Sequence, residues 1–257
     1  MYLSSNVVLI TGASMGIGAA IATTLASHGA QLALFARSED KLEELGKHIV
    51  RKAPATKTVT QAVDIQDYEA VKQAVDDVMK AMGKIDVLIN NVRRPRPRRA
   101  PPPFHALPTS QIDQNHLTNT SGVLYTTHAV PNASTMPRNS GTVLNMSSTT
   151  APEAPPFPGE VVYHASKAWL EGFSNALRNE LVATDVRVLR VGFDDATYDD
   201  FVQRFDPLEA QNVADAAAYL LMQPLHISVT ALDVVPAAQR SLTVFDRGWT
   251  SREHREA

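Results

Sequence analysis

The sequence predicts an α/β protein, a single doubly wound domain spanning residues 1–257, with a seven-stranded parallel sheet flanked by helices. Three observations lead there. Short apolar runs alternate with longer helical patterns along most of the chain, as strands and helices do in a parallel sheet. The first run, Val7-Val8-Leu9-Ile10, is apolar at every position, the pattern of a strand buried on both faces. A glycine-rich turn, Thr11-Gly12-Ala13-Ser14-Met15-Gly16-Ile17-Gly18, follows it and opens the first helix.

The elements follow in order. Ile17 to His28 reads as a helix, with Ile21 and Leu25 on one face and Gly29 as its stop. Gln31 to Ala36 is a second strand. Ser38 opens a charged helix with Leu42, Leu45 and Ile49 inward and Pro54 beyond its end. Thr58 to Val63 is a third strand, Tyr68 to Met82 a helix closed by Gly83, and Ile85 to Ile89 a fourth strand. Val92 to Phe104 breaks the rhythm. Five arginines (Arg93, Arg94, Arg96, Arg98, Arg99) interleave with five prolines, so this stretch is a loop. A long helix from Thr109 to about Val130 comes next, and Pro131 and Pro137 end or kink it. Thr142 to Met146 is a fifth strand, Pro152 to Gly159 a proline-rich loop, and Val162 to Leu181 a helix. Val186 to Val191, a helix from Ala210 to Met222, and a strand from Ala231 to Val235 complete the set. The glycine-rich half runs to roughly residue 92, and the second half covers the remainder.

Composition narrows the function. Hydrophobic content of 44% and charge of 20% are those of a globular protein. The net charge of -3 gives no electrostatic case for nucleic acid or an anionic membrane, and the one basic run has no interleaved aromatics. There are no cysteines, which excludes disulfides, thiolate catalysis and zinc-thiolate sites and fits a reducing compartment. Met1 to Asn6 is too short and polar for a signal peptide, and no apolar run approaches the roughly 20 residues of a membrane span. A cytoplasmic location is expected. The eight histidines show no i, i+4 pairing with matching carboxylates, so no metal site is expected.

Four stretches carry chemistry. The glycine turn lets backbone N–H groups approach a pyrophosphate at the positive end of a helix. Its spacing is G-x-x-x-G-x-G. After the second strand come Ala36 and Arg37, where dinucleotide folds place either an acid for the ribose or a cation for a 2′-phosphate. Arg37 favours NADP over NAD, or is a solvated charge at a strand end. Asn145-Met146-Ser147-Ser148 puts hydroxyls at the carboxyl edge of the sheet, where ligands bind and a serine can hydrogen-bond a carbonyl oxygen. Tyr163 and Lys167 lie about one helical turn apart on one face. An ammonium near a phenol favours the phenolate, which suits the phenol to proton transfer with a substrate oxygen. His164, next in sequence, points about 100° away and reads as structural or solvated.

In this order and at this spacing the motifs resemble the short-chain dehydrogenases/reductases. T-G-A-S-x-G-I-G at 11–18, Val63-Asp64, Asn90-Asn91, Asn119-Thr-Ser-Gly122, Asn145-Met-Ser-Ser148 and Tyr163-x-x-x-Lys167 all take part. The segments around Asp206-Pro-Leu, Gln223-Pro-Leu-His226 and Val235-Pro-Ala-Ala-Gln239 look more loosely like the serine-type branch of NADP-dependent 3-hydroxy acid dehydrogenases and related fungal reductases. The resemblance implies a Rossmann-type NADP(H)-dependent oxidoreductase acting on a secondary alcohol or ketone. It implies Tyr163 as general acid or base and Lys167 as its activator and a ribose contact. It further implies Ser148 as the substrate-oxygen ligand and Asn119 as holder of a relay water. Cofactor contacts would come from Gly12, Ser14, Met15, Gly16, Ile17, Gly18, Arg37, Asp64, Asn90, Tyr163 and Lys167. A homodimer or homotetramer pairing the two long helices is the family's habit.

The chain departs from the family pattern after strand four, where N-N-A-G is replaced by Asn90-Asn91-Val92-Arg93. It departs again at Val191-Gly192, where a proline-glycine pair is usual, and in the short stretch from Phe193 to Phe205 where a substrate lid is expected. Ser148 and Tyr163 also stand two residues further apart than is common. The arginine-rich loop reads as solvated and disordered, or as a trap for an acidic substrate or the cofactor phosphates. These departures motivate a second expectation, a dinucleotide-binding protein with weak or no turnover that acts as a redox sensor or partner subunit.

Overall fold

Apolar residues on both sides of the central strands require cover on both faces, and the fold supplies it. The computed structural model describes residues 3–91, 102–154, 158–193, 207–242, 244 and 246. Its strands are β1 (Val7–Thr11), β2 (Gln31–Ala36), β3 (Thr58–Ala62), β4 (Val87–Asn90), β5 (Ser140–Met146), β6 (Asp185–Phe193) and β7 (Leu232–Val234). They form one sheet in the order β3-β2-β1-β4-β5-β6-β7, and every pairing is parallel. In the middle, Leu9 stands beside Ala33 on one side and Leu88 on the other.

The helices are α1 (Gly16–Ser27), α2 (Glu39–Lys52), α3 (Tyr68–Met82), α4 (Thr109–His116), α5 (Gly122–Val130), α6 (Val161–Glu180) and α7 (Ala210–Leu221). Strand alternation sorts the core into two layers. Val8, Ile10, Leu32 and Leu34 pack with Ile21 and Leu25 of α1, Leu42 of α2 and Ala217 of α7. Val7, Leu9, Ala33 and Phe35 pack with Val71, Val75 and Val78 of α3 and with Val130 of α5. Local signals set several helix ends. The Asp67 carboxylate caps α3 by accepting from the N–H groups of Glu69 and Ala70, and Gly83 ends it at φ +79.

The long helix expected from Thr109 to about Val130 forms, with two differences. It opens into a π turn over Leu117–Ser121, and it does not stop at Pro131 but continues through a second π turn, Pro131–Thr135. The second turn closes with the Met136 N–H on the Pro131 carbonyl at 2.9 Å. Pro131 leads that turn with φ -57, close to the value that its ring fixes. β4 begins two residues later than expected because Asp86 meets Val7 with a side chain. Its carboxylate accepts from the Val7 N–H (2.8 Å) while its own N–H donates to the Val7 carbonyl (2.8 Å).

The order in which strands are added reverses at the β1–β4 pair, since β1 is followed outward by β2 on one side and β4 by β5 on the other. The carboxyl ends of those two strands therefore open a crevice, the usual ligand position in such sheets. Val92, Arg93, the rest of the arginine run and the 194–205 part of the predicted lid lie outside the described residues.

Candidate functional site

The crevice floor is built by β1 and β4 together. The buried Thr11 hydroxyl donates to the Ile89 carbonyl (3.2 Å) and accepts from the Asn91 N–H (3.1 Å). The Asn91 amide donates to the Gly12 carbonyl (3.3 Å). This fastening leaves no room for side chains at two glycines. A Cβ at Gly12, where φ is +63, would sit 2.7 Å from the Asn91 carbonyl oxygen. A Cβ at Gly18 would overlap the Gly12 carbonyl oxygen and lie 2.6 Å from Asn91 Nδ2. The outer side of the loop is open. Nothing lies within 4 Å of a Cβ built at Gly16, and Met15 is exposed. Ser14 and Ile17 are half-buried. α1 starts here with no side-chain cap and no acidic residue in its first turn. Uncapped N–H groups at the positive end of a helix, beside open space, suit a phosphate-bearing ligand.

Arg37 is exposed just past β2, and Asp64 is exposed just past β3. The Asp64 carboxylate accepts from the Gln66 N–H (3.0 Å), and the Gln66 amide donates to the Thr118 hydroxyl (3.0 Å), which ties this loop to the first π turn. Between them Ile65 occupies the space over Gly122, where any Cβ would overlap its side chain. Asn90 ends β4 with its side chain fully committed to neighbours. Its Nδ2 donates to Thr127 Oγ1 and Asn145 Oδ1, both at 2.9 Å, and its Oδ1 accepts from Thr126 Oγ1 at 2.7 Å. Asn90 therefore fastens the sheet to α5, and its backbone is what it offers the crevice.

Tyr163 and Lys167 stand four residues apart on α6, 6% and 3% exposed. Lys167 Nζ donates to the carbonyl of Met146, the last residue of β5 (2.8 Å), and lies 5.8 Å from the Tyr163 ring centroid. Asn119 comes from the π turn, and its amide donates to Asn115 Oδ1 (3.2 Å) and Ser166 Oγ (3.1 Å). Ser166 donates in turn to the Tyr163 carbonyl (2.7 Å), so the π turn is linked to the helical turn that carries the phenol. Ser148, buried two residues beyond β5, accepts from the Thr150 N–H (3.2 Å) and from the Thr150 hydroxyl (3.0 Å). His164 Nδ1 bonds the Thr150 carbonyl. The hydroxyls of Ser147 and Thr149 are buried with no hydrogen-bond partner among the described residues.

Asn119 from the π turn, Ser148 from the loop after β5, and Tyr163 and Lys167 from α6 thus gather near the carboxyl end of β5. Asn115, Thr150 and Ser166 join this network although no sequence motif singles them out. Asn115 stands one helical turn before Asn119 and Ser166 stands three residues after Tyr163, so a face-by-face reading of the helices contains both. Thr150 has no such signal, because a loop conformation places it. Among the described residues no group of three histidine, aspartate or glutamate side chains could hold a metal. No described helix is long and apolar enough to cross a membrane.

Comparison with known proteins gives a consistent result. Residues 6–193 match the profile of a family described as short chain dehydrogenase. The chain is 31% identical to sulfoacetaldehyde reductase 2 of Chromohalobacter salexigens, across 91% of this chain and 96% of that protein. It is 30% identical to serine 3-dehydrogenase of Rhizobium radiobacter, across 91% of this chain and 95% of that one. A metagenomic short-chain oxidoreductase solved in complex with NADP has 29% identity and a TM-score of 0.79, covering 92% of this chain and 99% of its own.

Proposed function

The chain belongs to the short chain dehydrogenase family, and on that premise we propose that it is an NADP(H)-dependent oxidoreductase moving hydride between the nicotinamide and a secondary alcohol or ketone. The observation that carries this reading is the meeting of Asn119, Ser148, Tyr163 and Lys167 beside a crevice with an open, uncapped helix N-terminus. Backbone N–H groups from Gly12 to Gly18, including those of Ser14, Met15, Gly16 and Ile17, would hold the pyrophosphate. Arg37 would take the 2′-phosphate, Asp64 the adenine, and the Asn90 backbone would line the cleft. Tyr163 and Lys167 would reach the nicotinamide ribose. When bound, the cofactor supplies or accepts the hydride.

The protein's own share is positioning and proton transfer. Ser148 donates a hydrogen bond to the substrate oxygen. Tyr163 gives that oxygen a proton in reduction and takes it back in oxidation. Lys167, a buried ammonium beside the phenol, favours the phenolate and so readies it for both directions. Asn119, fixed by Asn115 and Ser166, holds a water that returns the proton to solvent.

The test has two steps. Titration with NADPH and NADH, followed by fluorescence, should show selective NADPH binding. Turnover on ketones, β-keto acids and quinones should then find a substrate. With it, Tyr163→Phe should lose about 10²–10⁴-fold in kcat at nearly unchanged NADPH affinity. Wild-type turnover by Tyr163→Phe removes the assignment. NADPH binding without turnover across the panel supports the sensor reading instead.

A further inference from the structure

We propose that Thr150 is a positioning residue that aims the Ser148 proton at the substrate oxygen. The inference rests on the substrate-binding role given to Ser148 above.

A serine hydroxyl has one proton to give and two lone pairs to fill. Two groups of Thr150 converge on Ser148 Oγ, the N–H at 3.2 Å and the hydroxyl at 3.0 Å. The N–H can only donate, so it fills one lone pair. With the Thr150 hydroxyl donating to the other, Ser148 has only its proton left to place. Ser148 is 1% exposed and Thr150 3%, so bulk water does not compete for that geometry. An acceptor entering the crevice, such as a ketone oxygen, then meets a hydroxyl already turned towards it. Accepting two hydrogen bonds also polarises the Ser148 O–H and strengthens it as a donor. Threonine suits the task because its branched Cβ restricts rotation about χ1.

The turn that holds Thr150 is itself anchored. The Thr150 carbonyl can only accept, so His164 Nδ1 carries the proton in their hydrogen bond. His164 directly follows Tyr163 on α6. The donor to the substrate oxygen and the source of its proton are therefore fixed in one frame, through Ser148, Thr150, His164 and Tyr163. His164, read from sequence as structural or solvated, has this structural part to play.

The experiment compares Thr150→Val, Thr150→Ser, Ser148→Ala and the double variant Ser148→Ala/Thr150→Val. It measures kcat and KM with the ketone found above, NADPH affinity by fluorescence, and thermal midpoint. Valine keeps the shape of threonine and removes the hydroxyl. Thr150→Val should lower kcat about tenfold with NADPH affinity unchanged, and Thr150→Ser should recover most of the loss. In the double variant the valine should add nothing to the loss caused by Ser148→Ala, since Thr150 acts only through Ser148. A wild-type kcat in Thr150→Val, an equal loss in Thr150→Ser, or an additive double variant overturns the proposal. If Ser148→Ala itself turns over at the wild-type rate, the role of Ser148 fails first. If Ser148→Ala is slow and Thr150→Val is not, only the present inference fails.

Discussion

One atom at residue 18 decides whether the glycine loop can close. In Gly18→Ala the added methyl meets backbone, the Gly12 carbonyl oxygen, which cannot swing aside as a side chain could. The loop should open, cost about 1–3 kcal/mol as an overpacked contact does, and weaken NADPH binding at least tenfold. Gly16→Ala is the contrast. Space is open there, but φ +56 strains a side-chain residue by about 1–2 kcal/mol. Denaturant unfolding and NADPH titration of both variants separate crowding from strain, and normal binding by Gly18→Ala would contradict the crowding argument. At this scale the sequence was legible wherever chemistry needs a residue type at a fixed spacing, as in Gly12 to Gly18 or Tyr163 and Lys167. It was silent about direction. Asn90 was visible as an asparagine at a strand end, but Thr126, Thr127 and Asn145 decide where its amide goes.

Among the elements, β7 is the shortest described strand. It has three residues, none fully buried, and pairs only with β6 among the described residues. Three arginines bind this side of the fold. Arg178 of α6 donates to the Val188 and Thr230 carbonyls, and Arg187 of β6 donates to Thr142 Oγ1 and to the Gln223 and Ile227 carbonyls. Burial lowers the pKa of both guanidinium groups below the ordinary value, and the charge of Arg190 adds to the effect at Arg178. Arg190, 7% exposed, reaches Asp233 of β7 at 3.2 Å and Glu171 of α6 at 3.5 Å. Asp233→Ala leaves a buried guanidinium with the weaker of its two partners. Because Asp233 is itself half exposed, the cost is about 1–2 kcal/mol, between that of surface and buried pairs. Hydrogen exchange should quicken at Leu232 to Val234 while β1 and β2 stay protected, and unchanged exchange would show that Arg190 does not hold the strand. Most elements fell within a few residues of expectation because their stops are local, as at Gly29 and Gly83. The helix from Thr109 runs on to Thr135 through two π turns that were not legible, because a π turn has no residue signature and Pro131, expected to end or kink the helix, leads one of them.

For the molecule as a whole, the doubly wound sheet followed from the alternation of apolar runs with helices, and the family from motif order. The substrate was not legible, because specificity usually resides in loops, which carry no periodicity to read. Ligand linkage gives a global test. NADPH at about one hundred times its dissociation constant should stabilise the fold by about 2.7 kcal/mol and raise the thermal midpoint by roughly 5–10 °C. NADH at the same concentration should do less, and Arg37→Ala should erase the difference without moving the midpoint of the free protein, since Arg37 is exposed. Equal shifts from both nucleotides in the unmodified protein would remove the preference for NADP.

The neighbours of β1 also have a consequence in time. β2 leaves the ribosome soon after β1, but β4 follows only at Val87–Asn90, and the Thr11 hydroxyl bonds a residue 78 positions later. At about 5–20 residues per second, one edge of β1, with Val8, Leu9 and Ile10, waits several seconds for its partner during synthesis. The glycine loop waits with it, because Asn91 is what ties the Gly12 carbonyl down. A nascent chain halted before residue 91 would carry the whole glycine motif and still have no pocket for a nucleotide.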